Sequence, residues 1–432
     1  MAHRKQPRAR GRKRTAAPAR IATARIDVIG ARGDGVALID GEKVFVPLSA
    51  PGDEARIACC GERGEIEALL TKSPHRAAPP CVYYGQCGGC ALQHVTAEFY
   101  REWKRKLAVD ALARESFDGA IVAPLVLCAP ASRRRATFAV RRTAGGLVFG
   151  FNARASAQIV NIETCLVLAP ELGALVPALC ALAEAAPSRW RVFDMAVTLC
   201  DNGADVSFSG GDAADDLNGA EMMALSHASR RADVIRITAE GSPVASFETP
   251  IVRFGGVPVA VPPGGFLQAS AEGEAALTEF VLKNAGGAKR IADLFSGCGT
   301  FSLPLAKNAA IDAFDSDAAS IAALDAAARG AGLRRPLKAE RRNLFDRPLM
   351  PAELNNYDAI VFDPPRAGAK AQAEQLAQST VPVIVGVSCN PASFARDAAI
   401  LREGGYSLSQ VVPVDQFVYS PHVELAGVFV RS

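Results

Sequence analysis

One of the eleven cysteines lies where α/β folds place reactive groups. Cys389 follows the run Val385-Gly386-Val387-Ser388, and the turn-forming pair Asn390-Pro391 comes directly after it. This pattern predicts a buried strand that ends at a turn, and open α/β sheets carry their chemistry at the carboxyl ends of strands. A thiol there is either a nucleophile or a small buried apolar side chain. Three other segments favour the nucleophile: 293–300, 363–366 and 422–424.

A strand, a glycine turn and a helix are predicted around Gly297-x-Gly299. No Lys-Ser or Lys-Thr pair follows the glycines, which excludes a phosphate-binding P-loop. Asp293 precedes them at the strand end, a layout that lets the backbone of class I methyltransferases approach the methionine part of S-adenosylmethionine. Asp315 ends the next strand, roughly twenty residues on, where it can accept ribose hydroxyls. Asp363 ends a third strand, and two prolines stiffen the loop after it.

Three cysteines within ten residues indicate a metal site. Cys81, Cys87 and Cys90 accompany two glycines that let the backbone wrap closely around a bound centre. Four thiolates would suit an iron–sulfur cluster or a structural zinc ion, and zinc could instead use His94. Cys165 is the favoured fourth cysteine, because its segment is polar and follows a predicted strand. The other candidates have apolar neighbours: Cys128, Cys180 and Cys200.

The composition is that of a globular protein, with 49% apolar residues in 432. No apolar run is long enough to cross a bilayer, and we expect no membrane association. Cysteines without even spacing favour a reducing compartment, which points to the cytoplasm. Residues 1–20 carry eight Lys or Arg and no acidic residue, which is typical of a disordered arm that contacts a polyanion such as RNA.

Short strands separated by glycine turns are predicted over residues 21–73, a pattern typical of a five-stranded, OB-like β-barrel. Asp40-Gly41 lies between two alternating runs and predicts a hairpin. The run Gly33-Asp34-Gly35-Val36-Ala37, then Val44-Phe45-Val46-Pro47, then Pro51-Gly52-Asp53, resembles the TRAM domain, an OB-like module attached to RNA-modifying enzymes.

A central α+β domain is expected over residues 74–260. Its first helix, 94–114, presents an apolar face that we expect to pack on the catalytic domain, with Lys104 among the basic residues outside that face. Strands 135–140 and 147–151 follow, joined by a Gly145-Gly146 turn. No acidic residue occurs in 119–162, so we expect an RNA-binding surface there. Its arginines are Arg133, Arg134, Arg135, Arg141, Arg142 and Arg154.

Five segments occur in the order found in one enzyme family: 88–94, 293–301, 363–366, 388–391 and 422–424. With them the chain resembles the RNA (uracil-5-)-methyltransferases, especially the bacterial 23S ribosomal RNA 5-methyluridine enzymes that carry a TRAM domain and a 4Fe-4S cluster. The resemblance implies a class I, Rossmann-like methyltransferase domain over residues 261–432. It also implies that the cluster ligands are Cys81, Cys87, Cys90 and Cys165.

The resemblance further implies which residues line the S-adenosylmethionine site: Gln268, Phe295, Thr300, Asp315, Asn343 and Asp363. Ser296 departs from the family pattern, in which a cysteine usually follows the aromatic residue. Thr300 stands where some members have Asn. The expected chemistry uses Cys389 as the nucleophile that adds to C6 of uracil and Glu424 as the base that removes the C5 proton.

Several alternatives stay open at this point. The substrate is expected to be 23S ribosomal RNA, with transfer RNA as the other candidate, and the protein is expected to be a monomer. A methyltransferase of the same fold could act on RNA cytosine, although Glu424 favours uracil. A non-catalytic iron–sulfur RNA-binding protein would not need the 293–300 loop or Asp315, yet both are present.

Overall fold

The computed structural model describes residues 20–214 and 217–431. They form two compact units, which we describe separately. The first contains the described residues up to Ala78 together with His94–Thr96, and the second contains Pro79–Gln93 and the described residues from Ala97 onward. The basic arm expected over residues 1–20 lies outside the described residues apart from Arg20.

The first unit contains a closed five-stranded barrel, as the glycine turns predicted. Its strands are β1 Arg20–Ile29, β2 Gly35–Ile39, β3 Glu42–Val46, β4 Glu54–Cys60 and β5 Arg63–Thr71. They pair in the order β1-β2-β3-β5-β4. Asp40 and Gly41 join β2 to β3 with φ angles of 52° and 83°, the pair of positive values that a tight hairpin turn of this kind requires. Ile26, Val46 and Ile57 point inward and are fully buried in the barrel core.

Helix α1, Ala97–Arg114, and the short strand β6, Val126–Leu127, come early in the second unit. Ala108 and Leu112 of α1 belong to the same hydrophobic cluster as Leu294 and Phe394 of the catalytic region, so α1 packs there. Lys104 was expected among the basic residues outside the apolar face, but its side chain is fully buried. A buried lysine is rare unless it is paired, and its partners are described below.

The central part of the second unit is built on a seven-stranded sheet. Its strands are β7 Arg135–Thr143, β8 Gly146–Asn152, β9 Ile159–Asn161, β10 Val192–Cys200, β11 Gly203–Ser209, β12 Val234–Ala239 and β13 Ser242–Ser246. The order is β13-β12-β11-β10-β7-β8-β9, and only β11 and β12 run parallel among these neighbours. Three helices share its core: α2 Pro170–Ala174, α3 Val176–Ala185 and α4 Gly219–Arg231. The hairpin predicted at Gly145-Gly146 is present between β7 and β8.

A hairpin of β14, Ile251–Phe254, and β15, Val257–Ala260, leads into the catalytic region. That region's strands are β16 Arg290–Leu294, β17 Ala310–Asp315, β18 Leu337–Arg341, β19 Ala359–Phe362, β20 Val383–Ser388, β21 Tyr406–Asp415 and β22 Glu424–Arg431. Its helices are α5 Ala271–Ala285, α6 Ser302–Leu305, α7 Ala318–Gly330, α8 Pro351–Leu354, α9 Lys370–Ala377 and α10 Pro391–Glu403. Ser270 caps α5, where its hydroxyl accepts a hydrogen bond from the Gly273 amide.

The catalytic sheet has the order β18-β17-β16-β19-β20-β22-β21-β6. Strands β16 to β20 are parallel to one another, and β22 enters antiparallel between β20 and β21. The chain order reverses between β16 and β19, the switch point at which such sheets open a ligand crevice. Because β22 runs the other way, its first residue lies at the same edge as the last residues of β16, β19 and β20. The sheet therefore gathers four chain segments at one edge.

The domain boundaries at residues 73 and 260 stay predictions, since the described residues from Ala97 onward fall into one compact unit. None of the helices in the described ranges combines the length and the apolar character needed to span a bilayer.

Candidate active site

The reversal of β22 brings Cys389 and Glu424 to neighbouring positions. Cys389 follows β20 directly, and Glu424 is the first residue of β22. Ser388 pairs with Leu425 across the two strands, so the next residue on each strand toward the crevice is Cys389 or Glu424. Cys389 is half-buried, whereas the Glu424 side chain is almost fully buried. The two residues expected to do the chemistry thus lie side by side, although they are 35 positions apart in the sequence.

A chain of two amides connects Glu424 to Asp363. The Gln416 side chain donates from Nε2 to Glu424 Oε2 and to Gln268 Oε1, both at 2.7 Å, and accepts from the Ala269 amide at 2.9 Å. Gln268 in turn donates from Nε2 to Asp363 Oδ2 at 3.1 Å. In both glutamines the amide NH2 group donates and the amide oxygen accepts a hydrogen bond. Rotating either amide by 180° would break these bonds, so the orientation of each side chain is determined. The expected site residues Gln268 and Asp363 therefore lie in one network with Glu424.

Gln416 has no role in the sequence interpretation, although it is a central member of this network. It comes one residue after β21, which ends at the same sheet edge because β21 runs antiparallel to β22. The sequence signal that could have identified Gln416 is its type and place, a polar residue directly after a predicted strand that ends at the carboxyl edge of the sheet.

Burial dominates the electrostatics of the site. It raises the pKa of Asp363, and the pKa of Glu424 is raised first by burial and then by the charge of Asp363. Burial, followed by the charges of Glu424 and Asp363, raises the pKa of Cys389 to about 11, against the lowering effect of Arg366. The site therefore resists holding several negative charges at once. A buried carboxyl with a raised pKa is a strong proton acceptor once it is ionised.

Arg366, Asn390 and His422 frame the opening of the site. The Asn390 side chain donates to the Arg366 carbonyl at 2.9 Å and accepts from the Ala392 amide, so it caps α10 and fixes the loop after β19. Arg366 Nη2 lies 3.5 Å from His422 Nδ1. Burial and the nearby cations lower the pKa of His422, which keeps the ring neutral beside the guanidinium.

The glycine loop after β16 has the tight backbone that a cofactor-binding turn needs. Phe295, Gly297 and Gly299 have φ angles of 63°, 52° and 97°, and a Cβ on Gly299 would come within 2.4 Å of a Leu324 methyl group. Asp315 accepts hydrogen bonds from the amides of Gly297 at 2.9 Å and Asp317 at 2.8 Å. An ionised carboxylate has further lone pairs, so Asp315 can still accept from hydroxyl groups of a ligand.

Two buried polar atoms beside this loop lack hydrogen-bond partners among the described residues: Asp293 Oδ1 and Ser296 Oγ. Asp293 Oδ2 accepts from Ser302 Oγ at 2.5 Å, and burial raises the pKa of Asp293 to about 7. Unsatisfied buried oxygens are costly unless a ligand supplies the missing partner. They are therefore consistent with a polar ligand at the end of β16.

The remaining expected cofactor residues are Phe295, Asn343 and Thr300. Phe295 is half-buried, and its ring lies 5.5 Å from that of Phe345. Asn343 follows β18 and bonds to Asp346 and to the Phe345 amide. Thr300 borders a separate cavity against α5. The structure gives Asn343 and Thr300 no contact with the Gln268, Asp363 and Glu424 network.

The four expected cluster cysteines line one cavity of about 520 Å³. Cys81, Cys87, Cys90 and Cys165 are all half-buried. Burial raises the pKa of Cys90 to about 12, and the charges of the neighbouring thiols Cys165, Cys87 and Cys81 add to that rise. Within the described ranges, no three His, Cys, Asp or Glu side chains converge on a point where one ion would bind.

The other candidate ligands have different surroundings. Cys128 and Cys200 are buried in the hydrophobic core that also contains β14 and α5, and Cys180 is part of helix α3. His94 belongs to the first unit, where its Nε2 lies 2.9 Å from the Ser49 carbonyl oxygen. Cys165 is therefore the only one of these candidates that lines the cavity with the three clustered cysteines.

The arginine-rich surface expected for RNA needs correction. Arg134 donates to the Gln268 carbonyl and pairs with Glu274, and both side chains are mostly buried. Arg142 donates to carbonyls at the end of α3, and Arg135 donates to the Leu267 carbonyl. These three arginines donate to the protein's own backbone carbonyls, so those donors are not available to RNA phosphates. Arg141 and Arg154 border a surface groove, and Arg133 lines the cysteine cavity.

The comparisons with known proteins agree with this geometry. The family model described as tRNA (Uracil-5-)-methyltransferase matches residues 337–432. Over 404 residues the chain is 45% identical to an uncharacterized RNA methyltransferase of Brucella suis biovar 1, with 94% of this chain and 96% of the relative covered. It is 34% identical over 403 residues to the 23S rRNA (uracil(1939)-C(5))-methyltransferase RlmD of Chromohalobacter salexigens, covering 89% and 84% of the two chains. The chain belongs to the RNA (uracil-5-)-methyltransferase family.

A solved structure supports the fold of this methyltransferase. The Pyrococcus abyssi tRNA (uracil-54, C5)-methyltransferase in complex with S-adenosyl-L-homocysteine superposes with a TM-score of 0.71, at 24% identity and with 95% of this chain and 100% of that chain covered. The expected α/β methyltransferase fold is thereby confirmed, as is the N-terminal barrel. Membership of the family also confirms that the chain is an RNA (uracil-5-)-methyltransferase.

Proposed function

We propose that this methyltransferase transfers a methyl group from S-adenosylmethionine to C5 of a uridine in 23S ribosomal RNA, through a covalent bond between Cys389 and C6. The observation that carries the proposal is the pairing of Cys389 with the buried carboxyl of Glu424 at one sheet edge. A nucleophile alone would leave the product attached, whereas a nucleophile beside a base can complete the cycle.

The chemistry follows from the weak nucleophilicity of C5 in uracil. Cys389 sulfur adds to C6, and the electron pair of the C5–C6 double bond moves toward the O4 carbonyl, which makes C5 enolate-like. Bound S-adenosylmethionine supplies an electrophilic methyl group to C5. Glu424 then takes the C5 proton, the C5–C6 double bond re-forms, and the Cys389 thiolate leaves.

The electrostatics of the site bear on both roles. Cys389 must lose a proton to attack; burial and the charges of Glu424 and Asp363 raise its pKa to about 11, and Arg366 opposes that rise. Glu424 must be ionised to accept the C5 proton, and its raised pKa makes it a stronger base than an exposed carboxylate. The amide of Gln416 binds one Glu424 oxygen at 2.7 Å, and we assign the other oxygen as the acceptor of the C5 proton.

For S-adenosylmethionine we propose the six residues that the resemblance names: Gln268, Phe295, Thr300, Asp315, Asn343 and Asp363. Asp315 would accept the ribose hydroxyls, and the open oxygens of Asp293 and Ser296 would meet polar groups of the amino-acid part. Support comes from the P. abyssi structure, whose complex contains S-adenosyl-L-homocysteine in the same fold.

For the cysteine cavity we propose a 4Fe-4S cluster held by Cys81, Cys87, Cys90 and Cys165. Four half-buried thiols around one cavity suit a cluster with four thiolate ligands. No step of the chemistry is an electron transfer, so the cluster's role is structural.

Anaerobically purified protein is expected to be brown and to contain iron and inorganic sulfide in equal amounts. Cys165→Ser should lose iron and sulfide, because one ligand of the cluster is removed. Cys60→Ser is the matched control, since Cys60 is an exposed cysteine of the barrel. Zinc without sulfide in the wild-type protein would contradict the cluster.

The substrate assignment is tested with tritiated methyl groups. Wild-type protein, S-adenosylmethionine labelled in the methyl group, and transcripts of 23S ribosomal RNA and of transfer RNA are incubated separately, and the modified nucleoside is identified by mass spectrometry. We expect 5-methyluridine in 23S ribosomal RNA, the product that the name of the RlmD relative describes. Methylation of transfer RNA alone would contradict the substrate assignment but not the reaction. Formation of 5-methylcytidine would overturn the proposed reaction.

A further inference from the structure

A fully buried ion pair lies behind the candidate active site. Lys104 of α1 and Asp415, the last residue of β21, both have completely buried side chains, and Lys104 Nζ lies 2.6 Å from Asp415 Oδ1. The ammonium also donates to the carbonyls of Phe417, at 3.2 Å, and His422. A lysine has three donor hydrogens, so these three acceptors saturate it.

Both ends of one connection converge on this ammonium. Residues 416–423 join β21 to β22, and we call them the β21–β22 connection. Phe417 lies near its start and His422 near its end, and their carbonyls accept from the same Lys104. The residue next to Asp415 is Gln416, and the residue two positions after His422 is Glu424. Lys104 therefore fixes the backbone on both sides of the Gln416–Glu424 hydrogen bond.

A second side chain of α1 secures the middle of the connection. The Tyr100 hydroxyl donates to Asp415 Oδ2 at 2.5 Å and accepts from the Tyr419 amide at 2.8 Å. Tyr419 has a φ of 61°, a left-handed conformation that is unfavourable for a bulky residue. On its other side the Tyr419 carbonyl accepts from the amides of Ala91 and Leu92, directly after the third clustered cysteine. Such a backbone conformation persists only where its surroundings enforce it.

The buried charges make this arrangement sensitive to change. Burial lowers the pKa of Lys104, while Asp415 opposes that effect. Removing the ammonium would leave Asp415 without its counter-ion and would free two backbone carbonyls in a dry environment. The connection would then have to move to rehydrate these groups, and Gln416 and Glu424 would move with it.

We propose that Lys104 is a positioning residue that holds the β21–β22 connection so that Gln416 can orient Glu424 toward the C5 proton. Tyr100 assists through Asp415 and Tyr419. The inference rests on the proposed role of Glu424 as the base. Lys104 acts through the connection and not on the substrate, because its three hydrogens are already bound.

The test compares steady-state turnover and adduct formation by the cluster-loaded, full-length protein and its variants. Lys104→Met retains the length of the side chain but removes its charge and its donors. We expect kcat to fall roughly 10²-fold, as expected for a displaced catalytic group. The KM for S-adenosylmethionine should stay near the wild-type value, and a methylated, denaturation-resistant protein–RNA adduct should accumulate because removal of the C5 proton becomes slow.

Two further variants keep the outcome interpretable. Lys106→Met is the matched control on the same helix, since Lys106 is exposed and pairs with Asp110 in an i, i+4 contact; it should behave as wild type. Tyr100→Phe retains the ring and loses only the hydroxyl, so it should show the same adduct accumulation to a smaller extent. It also replaces Lys104→Met if that variant fails to fold.

Wild-type kcat in a folded Lys104→Met protein would overturn the proposal, as would loss of S-adenosylmethionine binding and adduct formation together. Glu424→Gln distinguishes failure of the positioning proposal from failure of the proposed chemistry. If Glu424→Gln accumulates adduct and neither α1 variant does, only the positioning role is wrong. If Glu424→Gln does not accumulate adduct, the assignment of the base is wrong.

Discussion

Cys389→Ala is expected to abolish methylation, with a loss on the order of 10⁴-fold or more, as for removal of an enzymatic nucleophile. Without the sulfur no bond to C6 can form, and C5 never becomes nucleophilic. The half-buried position of Cys389 at the end of β20 leaves its thiol accessible to a uracil that has left its stack. A denaturing gel of protein, substrate RNA and S-adenosylmethionine should therefore show no protein–RNA band.

Cys60→Ala controls for the loss of a thiol elsewhere, because Cys60 is exposed on the barrel; its activity should be unchanged. Cys298 is the other cysteine near the cofactor loop, but it is buried in the hydrophobic core and cannot substitute as a nucleophile. A protein–RNA band that persists in Cys389→Ala would show that another residue forms the bond.

Glu424→Gln is expected to separate methyl transfer from product release. Glutamine retains the size of the side chain, but it cannot accept the C5 proton. Turnover should fall about 10²–10⁴-fold, the range for loss of a general base, while the methylated adduct with Cys389 accumulates as a persistent band. Labelled methyl groups in that band would establish that transfer preceded the block.

The pH dependence gives an independent check on the base. Burial and Asp363 raise the pKa of Glu424, so its carboxylate form is depleted near neutral pH and grows as the pH rises. The wild-type kcat should therefore increase with pH as Glu424 ionises, and it should rise further at higher pH as Cys389, with its pKa of about 11, loses its proton. Glu403→Gln, at the exposed end of α10, is the control and should retain the wild-type profile. Normal turnover by Glu424→Gln would assign the base to another group.

The local patterns were sufficient for most of the elements around the site. Gly297-x-Gly299 predicted a turn because glycine readily adopts positive φ angles, which both residues have, and a Cβ on Gly299 would also clash with Leu324. The hairpin at Asp40-Gly41 followed from the same conformational preference. Residue type and spacing decide such features, since they depend on a few neighbouring dihedral angles.

Lys104 and the arginines were misjudged for the opposite reason. A helical pattern predicts which face is apolar, but it does not predict that Asp415, more than three hundred residues away, provides a buried partner for a lysine. Likewise, the absence of acidic residues near Arg134 in the sequence says nothing of Glu274, which reaches it from α5. Charges pair through space, and sequence distance carries no information about such pairs.

By itself, the sequence determined the family, because five of its segments match the family's motifs in order. It also identified Cys389 and Glu424 as candidate catalytic residues. Only the tertiary structure decided that they can work together. Because β22 runs antiparallel to β20, its first residue, Glu424, lies next to Cys389, the residue that follows β20. The same reversal brings Gln416 and Asp363 into one hydrogen-bonded network with Glu424. Strand direction and register are properties of the assembled sheet, so no local segment encodes them alone.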